Sequence, residues 1–291
     1  MRTLKAALVA AALLCACAEP AAQASEPASA PTVEQEFGAV LARHQRMNER
    51  VARISRALRV ANAPLCTDTR LDAGLTTHRL SDYPEPLRPL ALRFLPLGDR
   101  GRFVRGVVPG SPADESGVRP GDRVITGWPL DADQALVLDA GPGDEEVYFE
   151  LSAPPDTACR APVTVVENRT PSASTDGREI RLTTALVEEV GDDGALAFVI
   201  AHEMSHILRG HDAPGWRAEL EADADALVLM RNAGFDTAEV VANWEAGVDA
   251  YRHAQATSLT HPPIDVRLKN LQTALDVLDA KGPGLARLSK D

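Results

Sequence analysis

Asp192-Asp193-Gly194-Ala195-Leu196-Ala197-Phe198-Val199-Ile200-Ala201-His202-Glu203-Met204-Ser205-His206-Ile207-Leu208-Arg209-Gly210 is the stretch from which the rest of the chain is read. Asp192 and Asp193 stand where an N-cap and first-turn acids belong, and Gly210 is a C-terminal stop. The helix so delimited is apolar almost all round, which predicts burial. Positions i and i+4 share a helical face, so His202 and His206 can aim their imidazoles at one point. Imidazoles at that spacing suit Zn²⁺, and Glu203 beside them can act as base toward a water. Buried without a partner, two histidines and a glutamate would be costly, and a metal removes that cost.

A catalytic zinc usually takes three protein ligands and leaves one position open. The next helical stretch, Trp216 to about Ala233 and ended by Gly234, offers two overlapping acidic pairs, Glu219/Asp223 and Glu221/Asp225. Spacing alone leaves both open. Leu220, Ala224, Leu227, Val228 and Met230 would pack inward, and the short gap after Gly210 predicts an antiparallel helix pair that brings one acidic pair near the histidines.

HEMSHILRGH, then ELEADADALVLMRNAGFD, then THPPIDVRLKNL closely resembles the gluzincin metallopeptidases that include the CAAX prenyl endopeptidases, HtpX and the BepA-type proteins. The resemblance implies Glu219 as third zinc ligand, with Asp223 one turn on as a carboxylate that orients a ligating imidazole or serves as an acid. It implies that His261 lies at the mouth of the site, either touching zinc in a closed state or helping hold the substrate carbonyl, and that Arg267 helps stabilise a developing oxyanion. His261 could otherwise simply cap the last helix, which Pro262-Pro263 opens. Twelve residues, 207 to 218, separate His206 from Glu219, shorter than in family members with insertions there. Gly210 and Pro214-Gly215 supply a turn. His211 falls outside the i, i+4 pattern and reads as a loop or capping residue, while His44, His78 and His253 read as structural or exposed.

At the N-terminus, Arg2 and Lys5 precede the apolar run Ala6 to Ala16, an export signal too short to span a bilayer. Leu14-Cys15-Ala16-Cys17 resembles a bacterial lipobox with Cys17 as the lipidated residue; the alternative is signal cleavage after Ala22-Gln23-Ala24. Residues 18–32, rich in Ala, Pro, Ser and Glu, read as a tether. These features predict a periplasmic protein lipid-anchored to the envelope, at the outer membrane in preference to the inner, or otherwise a soluble exported one. An oxidising compartment permits a bridge between Cys66 and Cys159, the alternative being two unpaired thiols.

Between those cysteines, Phe103-Val104-Arg105-Gly106-Val107-Val108, Pro109-Gly110-Ser111-Pro112-Ala113 and Gly117-Val118-Arg119-Pro120-Gly121-Asp122-Arg123-Val124-Ile125 resemble a bacterial PDZ domain. Ser111 can N-cap a short helix with Pro112 at its first position, and Gly121-Asp122 makes a tight turn into a strand. The resemblance implies peptide binding by strand addition, with Leu95-Pro96-Leu97-Gly98 as carboxylate-loop candidate. Residues Val33 to about Asn62 read as an amphipathic helix whose arginines form a solvated face. Val163–Glu167 and Glu179–Thr183 read as strands, and the metallopeptidase resemblance implies that the second borders the cleft and pairs with substrate backbone.

The expected architecture is α+β: a mainly helical, zincin-like metallopeptidase domain (161–291, joined by helix 33–62) with a small edge sheet, and a β-rich PDZ-like domain (63–160). Signal peptide (1–17) and tether (18–32) precede them. A net charge of −12 and the lack of a phosphate-binding glycine loop argue against nucleic acid. The expected activity is zinc-dependent hydrolysis of peptide bonds in proteins, with Glu203 as general base. Two other classes remain: a chaperone-like assembly or quality-control factor, and a PDZ-based scaffold with a structural zinc.

Overall fold

The computed structural model describes residues 32–130, 135–141, 147–211, 215–255, 262–282 and 288. The expected signal peptide, the Cys17 anchor, nearly all of the tether and His261 lie outside the described residues.

Helix α1, Val33–Ala61, starts in a capping box between Thr32 and Gln35. Met47, Val51, Ile54 and Leu58 recur at helical spacing and are buried, so this face joins the main core. Its arginines form a solvated face only in part: Arg43, Arg46 and Arg53 are exposed, while Arg50, Arg56 and Arg59 are turned inward. Arg50 and Arg53 both donate at 2.6 Å to Asp193, and Arg50 also donates to the Val187 and Val190 carbonyls. Arg59 is buried on Asp72 at 2.6 Å, and Arg56 reaches Asp72 and Asp156. Sequence periodicity placed these residues correctly on the polar side of α1, but that side meets neighbouring elements carrying complementary carboxylates. Asn62, fully buried, donates to the Leu229 carbonyl at 2.9 Å and so fastens the end of α1 to a later helix.

Beyond α1 lies the β-rich part. Strand β1 (Thr69–Asp72) pairs antiparallel with β7 (Asp156–Cys159). Cys66 and Cys159 form a disulfide with Cα atoms 5.6 Å apart, tying this pair to the end of α1. Inside that loop an antiparallel sheet runs in the order β2 (Leu75–His78), β3 (Arg102–Val107), β4 (Arg123–Thr126), β5 (Val137–Asp139), β6 (Tyr148–Glu150). Helices α2 (Arg88–Phe94) and α3 (Pro112–Glu115) accompany it. Ser111 caps α3 by accepting from the Asp114 amide, with Pro112 at the first position, and Gly121 takes φ +100° in the turn before β4. Ala73, Leu75, Val104, Ala113, Val118, Leu136 and Leu138 make a small separate core. The Leu95–Gly98 segment follows α2, where the Pro96 carbonyl lies 3.3 Å from His78 Nε2.

The other part is mainly helical. Strands β8 (Val163–Val166), β9 (Ala173–Thr175) and β10 (Ile180–Thr183) form a sheet in the order β8-β10-β9. This corrects one expectation. The strand ahead of the histidine helix, β10, is central, parallel to β8 and antiparallel to β9, so both of its backbone edges are used. The strand at the end of the sheet, β9, also packs against that helix. Helix α4 (Thr184–Glu189) follows, then α5 (Asp193–Arg209), α6 (Trp216–Asn232), α7 (Thr237–Gln255) and α8 (Ile264–Lys281). Asp192 caps α5 by accepting from the Ala195 amide at 2.7 Å, and Gly210 ends it at φ +65°. Leu196, Ile200 and Met204 of α5 interlock with Leu227, Leu229 and Met230 of α6 and with Ile180 and Leu182 of β10, all fully buried. Among the described residues, no helix is long and apolar enough to cross a membrane.

Candidate metal centre

Helices α5 and α6 pack face to face, and their contact carries the site. His202 and His206, one turn apart on α5, turn their Nε2 atoms to within 3.2 Å of each other. Glu219, from the first turn of α6, brings Oε2 to 3.4 Å from His202 Nε2 and Oε1 to 3.7 Å from His206 Nε2. Two imidazole nitrogens and a carboxylate oxygen are the donor set zinc prefers. Donors held about 2.0–2.1 Å from one tetrahedral ion lie about 3.3–3.4 Å apart, close to the separations found. The residues present therefore fit the ion.

Each imidazole is also held from behind. His202 Nδ1 is 3.0 Å from Asp223 Oδ1, and Asp223 is fully buried. Arg267 of α8 closes on the same carboxylate, donating from Nε at 2.8 Å and Nη2 at 2.5 Å. The Arg267 guanidinium also lies 4.8 Å over the Trp244 ring, which packs edge-on against Phe198, the aromatic neighbour of His202. Arg267, expected as a helper for an oxyanion, anchors Asp223 through these two donors.

Electrostatics follow from this packing. Burial works against charging His202, but hydrogen bonds to Asp223 and Glu219 outweigh it and push its pKa up to about 9. Burial, and then the charge on His202, push His206 down to about 4. The two carboxylates thus favour positive charge at this position, which a bound cation would supply. Glu203, half-buried on the next position of α5, is raised above its ordinary value by burial, with Glu219 adding to the effect and His202 opposing it. A carboxylate with raised proton affinity beside the ligand cluster is suited to receive a proton.

The second acidic pair of α6 is also occupied. Asp225 accepts two hydrogen bonds from Arg209 at 2.7 and 2.9 Å and one from Ser205 at 2.8 Å, bracing the back of α5. Glu221 is 3.2 Å from His211 Nε2, and His211 Nδ1 is 2.9 Å from His206 Nδ1. Of the two pairs the spacing left open, Glu219/Asp223 faces the histidines directly and Glu221/Asp225 supports their helix. The loop reading of His211 describes its backbone, which donates to the His206 carbonyl just past Gly210, but misses its ring. That ring contact crosses the turn between two helices, and no periodicity within either reports it.

Residues 162–216 match Peptidase family M48, which supports a zincin-type metallopeptidase. The match spans β8 to the start of α6 and stops before Glu219, so the third ligand rests on the geometry above. No curated protein and no solved structure matches the chain.

Proposed function

We propose that this chain is a zinc-dependent endopeptidase of the bacterial cell envelope, acting on misfolded or membrane-associated proteins. The observation that carries the reading is the convergence of His202, His206 and Glu219, whose ligand atoms all lie within 4.8 Å of one another between two buried helices. When bound, zinc acidifies a water toward neutral pKa and polarises a carbonyl. Glu203 takes the proton of the attacking water and passes it to the departing amine. Asp223, locked by Arg267, keeps His202 in the tautomer whose Nε2 carries the lone pair. By the family resemblance, His261 helps hold the substrate carbonyl. The edge of β9 that is unpaired among the described residues, beside α5, takes the substrate as an added strand.

The β-rich part acts in this reading as a PDZ-like module for substrate or partner binding. In support, β2 is an edge strand, and a cavity of about 300 Å³ opens beside it between Leu75–Thr77 and the α1 arginines Arg56 and Arg59. The N-terminal signal-like run with Cys17 and the disulfide both favour an exported, lipid-anchored protein. The test is cleavage of an unfolded protein substrate by the full chain, lost with a chelator and restored by zinc. Glu203→Gln should retain one zinc per chain and lose cleavage; a Gln variant that still cleaves would overturn the general-base assignment.

A further inference from the structure

His202 and His206 present equivalent Nε2 atoms to the metal position, but their Nδ1 atoms are served differently. Behind His202 stands a buried carboxylate. Behind His206 stands a second imidazole. His206 Nδ1 and His211 Nδ1 are 2.9 Å apart, with the rings inclined at 70°, so one of these nitrogens carries the hydrogen and the other must accept it. The far side of His211 decides which. Its Nε2 lies 3.2 Å from Glu221 Oε2, and Glu221 in turn accepts from Arg217 Nε at 2.7 Å. Paired with the Arg217 guanidinium through Oε1, the Glu221 carboxylate is an acceptor and presents its other oxygen, Oε2, to His211. His211 Nε2 therefore carries hydrogen, His211 Nδ1 offers a lone pair, and His206 Nδ1–H donates to it. The hydrogen positions follow from the partners.

We propose that His211 is a positioning residue for His206. Through Nδ1 it holds His206 in the ring orientation and tautomer that aim the Nε2 lone pair at the metal position, while Glu221 and Arg217 fix His211. This inference rests on the metal-centre reading of the site. It gives a task to a side chain whose local role, closing the last turn of α5, is already met by its backbone amide. It also explains why the acidic pairs of α6 overlap: Asp223 serves one imidazole directly and Glu221 serves the other through a relay. Hydrogen-bond partners behind ligating histidines typically set metal affinity by about 10- to 100-fold.

The experiment measures zinc affinity of the full chain by competition with a chromogenic chelator. His211→Ala should bind zinc about 10- to 100-fold more weakly than the unmodified protein. His211→Asn, whose amide oxygen can accept from His206 Nδ1, should recover most of the loss, and His211→Leu, which only fills space, should not. In ¹⁵N-histidine-labelled protein, an exchange-protected His206 Nδ1–H resonance should be present in the unmodified and Asn forms and absent in the Ala and Leu forms. Unchanged affinity in His211→Ala, or equal recovery by Leu and Asn, overturns the positioning role and leaves the metal centre standing. An unmodified protein that takes up no zinc overturns both.

Discussion

Removing Asp223 probes the centre of the site's support. Its carboxylate is fully buried, and it is the acceptor for both Arg267 donors and the partner of His202 Nδ1. The Arg267 side chain is only 8 % exposed, so Asp223→Ala strands a guanidinium where water cannot replace the lost bonds. Breaking a buried ion pair from one side costs about 3–5 kcal/mol. The Trp244 ring lies beneath the guanidinium in both forms, so that contact cancels in the difference. The expected loss is therefore about 3–5 kcal/mol, a large part of the roughly 5–15 kcal/mol that holds a folded domain together. Urea unfolding should be followed with chelator present, because bound metal adds its own stabilisation. Removing the stranded charge as well, in Asp223→Ala/Arg267→Met, should leave the protein more stable than Asp223→Ala alone. A loss below about 1 kcal/mol for the single variant, or a double variant less stable than it, would refute the claim that this ion pair is closed to solvent and energetically coupled.

Glu219→Ala should lower zinc stoichiometry by elemental analysis, whereas Glu221→Ala should keep one zinc at saturating metal; the reverse would exchange the roles of the two carboxylates. Reducing the Cys66–Cys159 bridge, which closes a separation of 93 residues, should destabilise the protein by about 2–4 kcal/mol; identical thermal melts with and without reductant would contradict this. For acid stability, burial would raise the Asp72 carboxyl, but Arg59, the Gly74 amide and Arg56 outweigh it and hold it below its ordinary value. A depressed folded value means the stabilisation is present above the unfolded carboxylate pKa and is lost as pH falls through the folded one. Asp72→Asn should thus be less stable at neutral pH and show a flatter decline in acid; parallel pH–stability curves would rule out this contribution.

Helix limits were legible in the chain because caps and breakers act locally. Asp192 and Gly210 bracket α5, and Gly234 follows α6, as their side-chain chemistry and backbone freedom require. The i, i+4 spacing of His202 and His206 likewise needs nothing beyond one helix. The sheet around β10 was less legible. A strand's own residues report which faces are buried but not which neighbour takes each edge, so β10 read as open to substrate backbone although β8 and β9 take both of its edges.

By itself, then, the order of residues determined the two imidazoles on one helical face, the carboxylate beside them and two candidate acidic pairs, because each depends on contacts within a few residues. Only the packed structure decided which pair meets the histidines, sent the arginines of α1 onto Asp193, Asp72 and Asp156, turned Arg267 onto Asp223, and set His211 behind His206. Those choices join residues far apart in the chain. They are made by the crossing of whole helices and by the cost of leaving a buried charge without its partner, which no single segment can express.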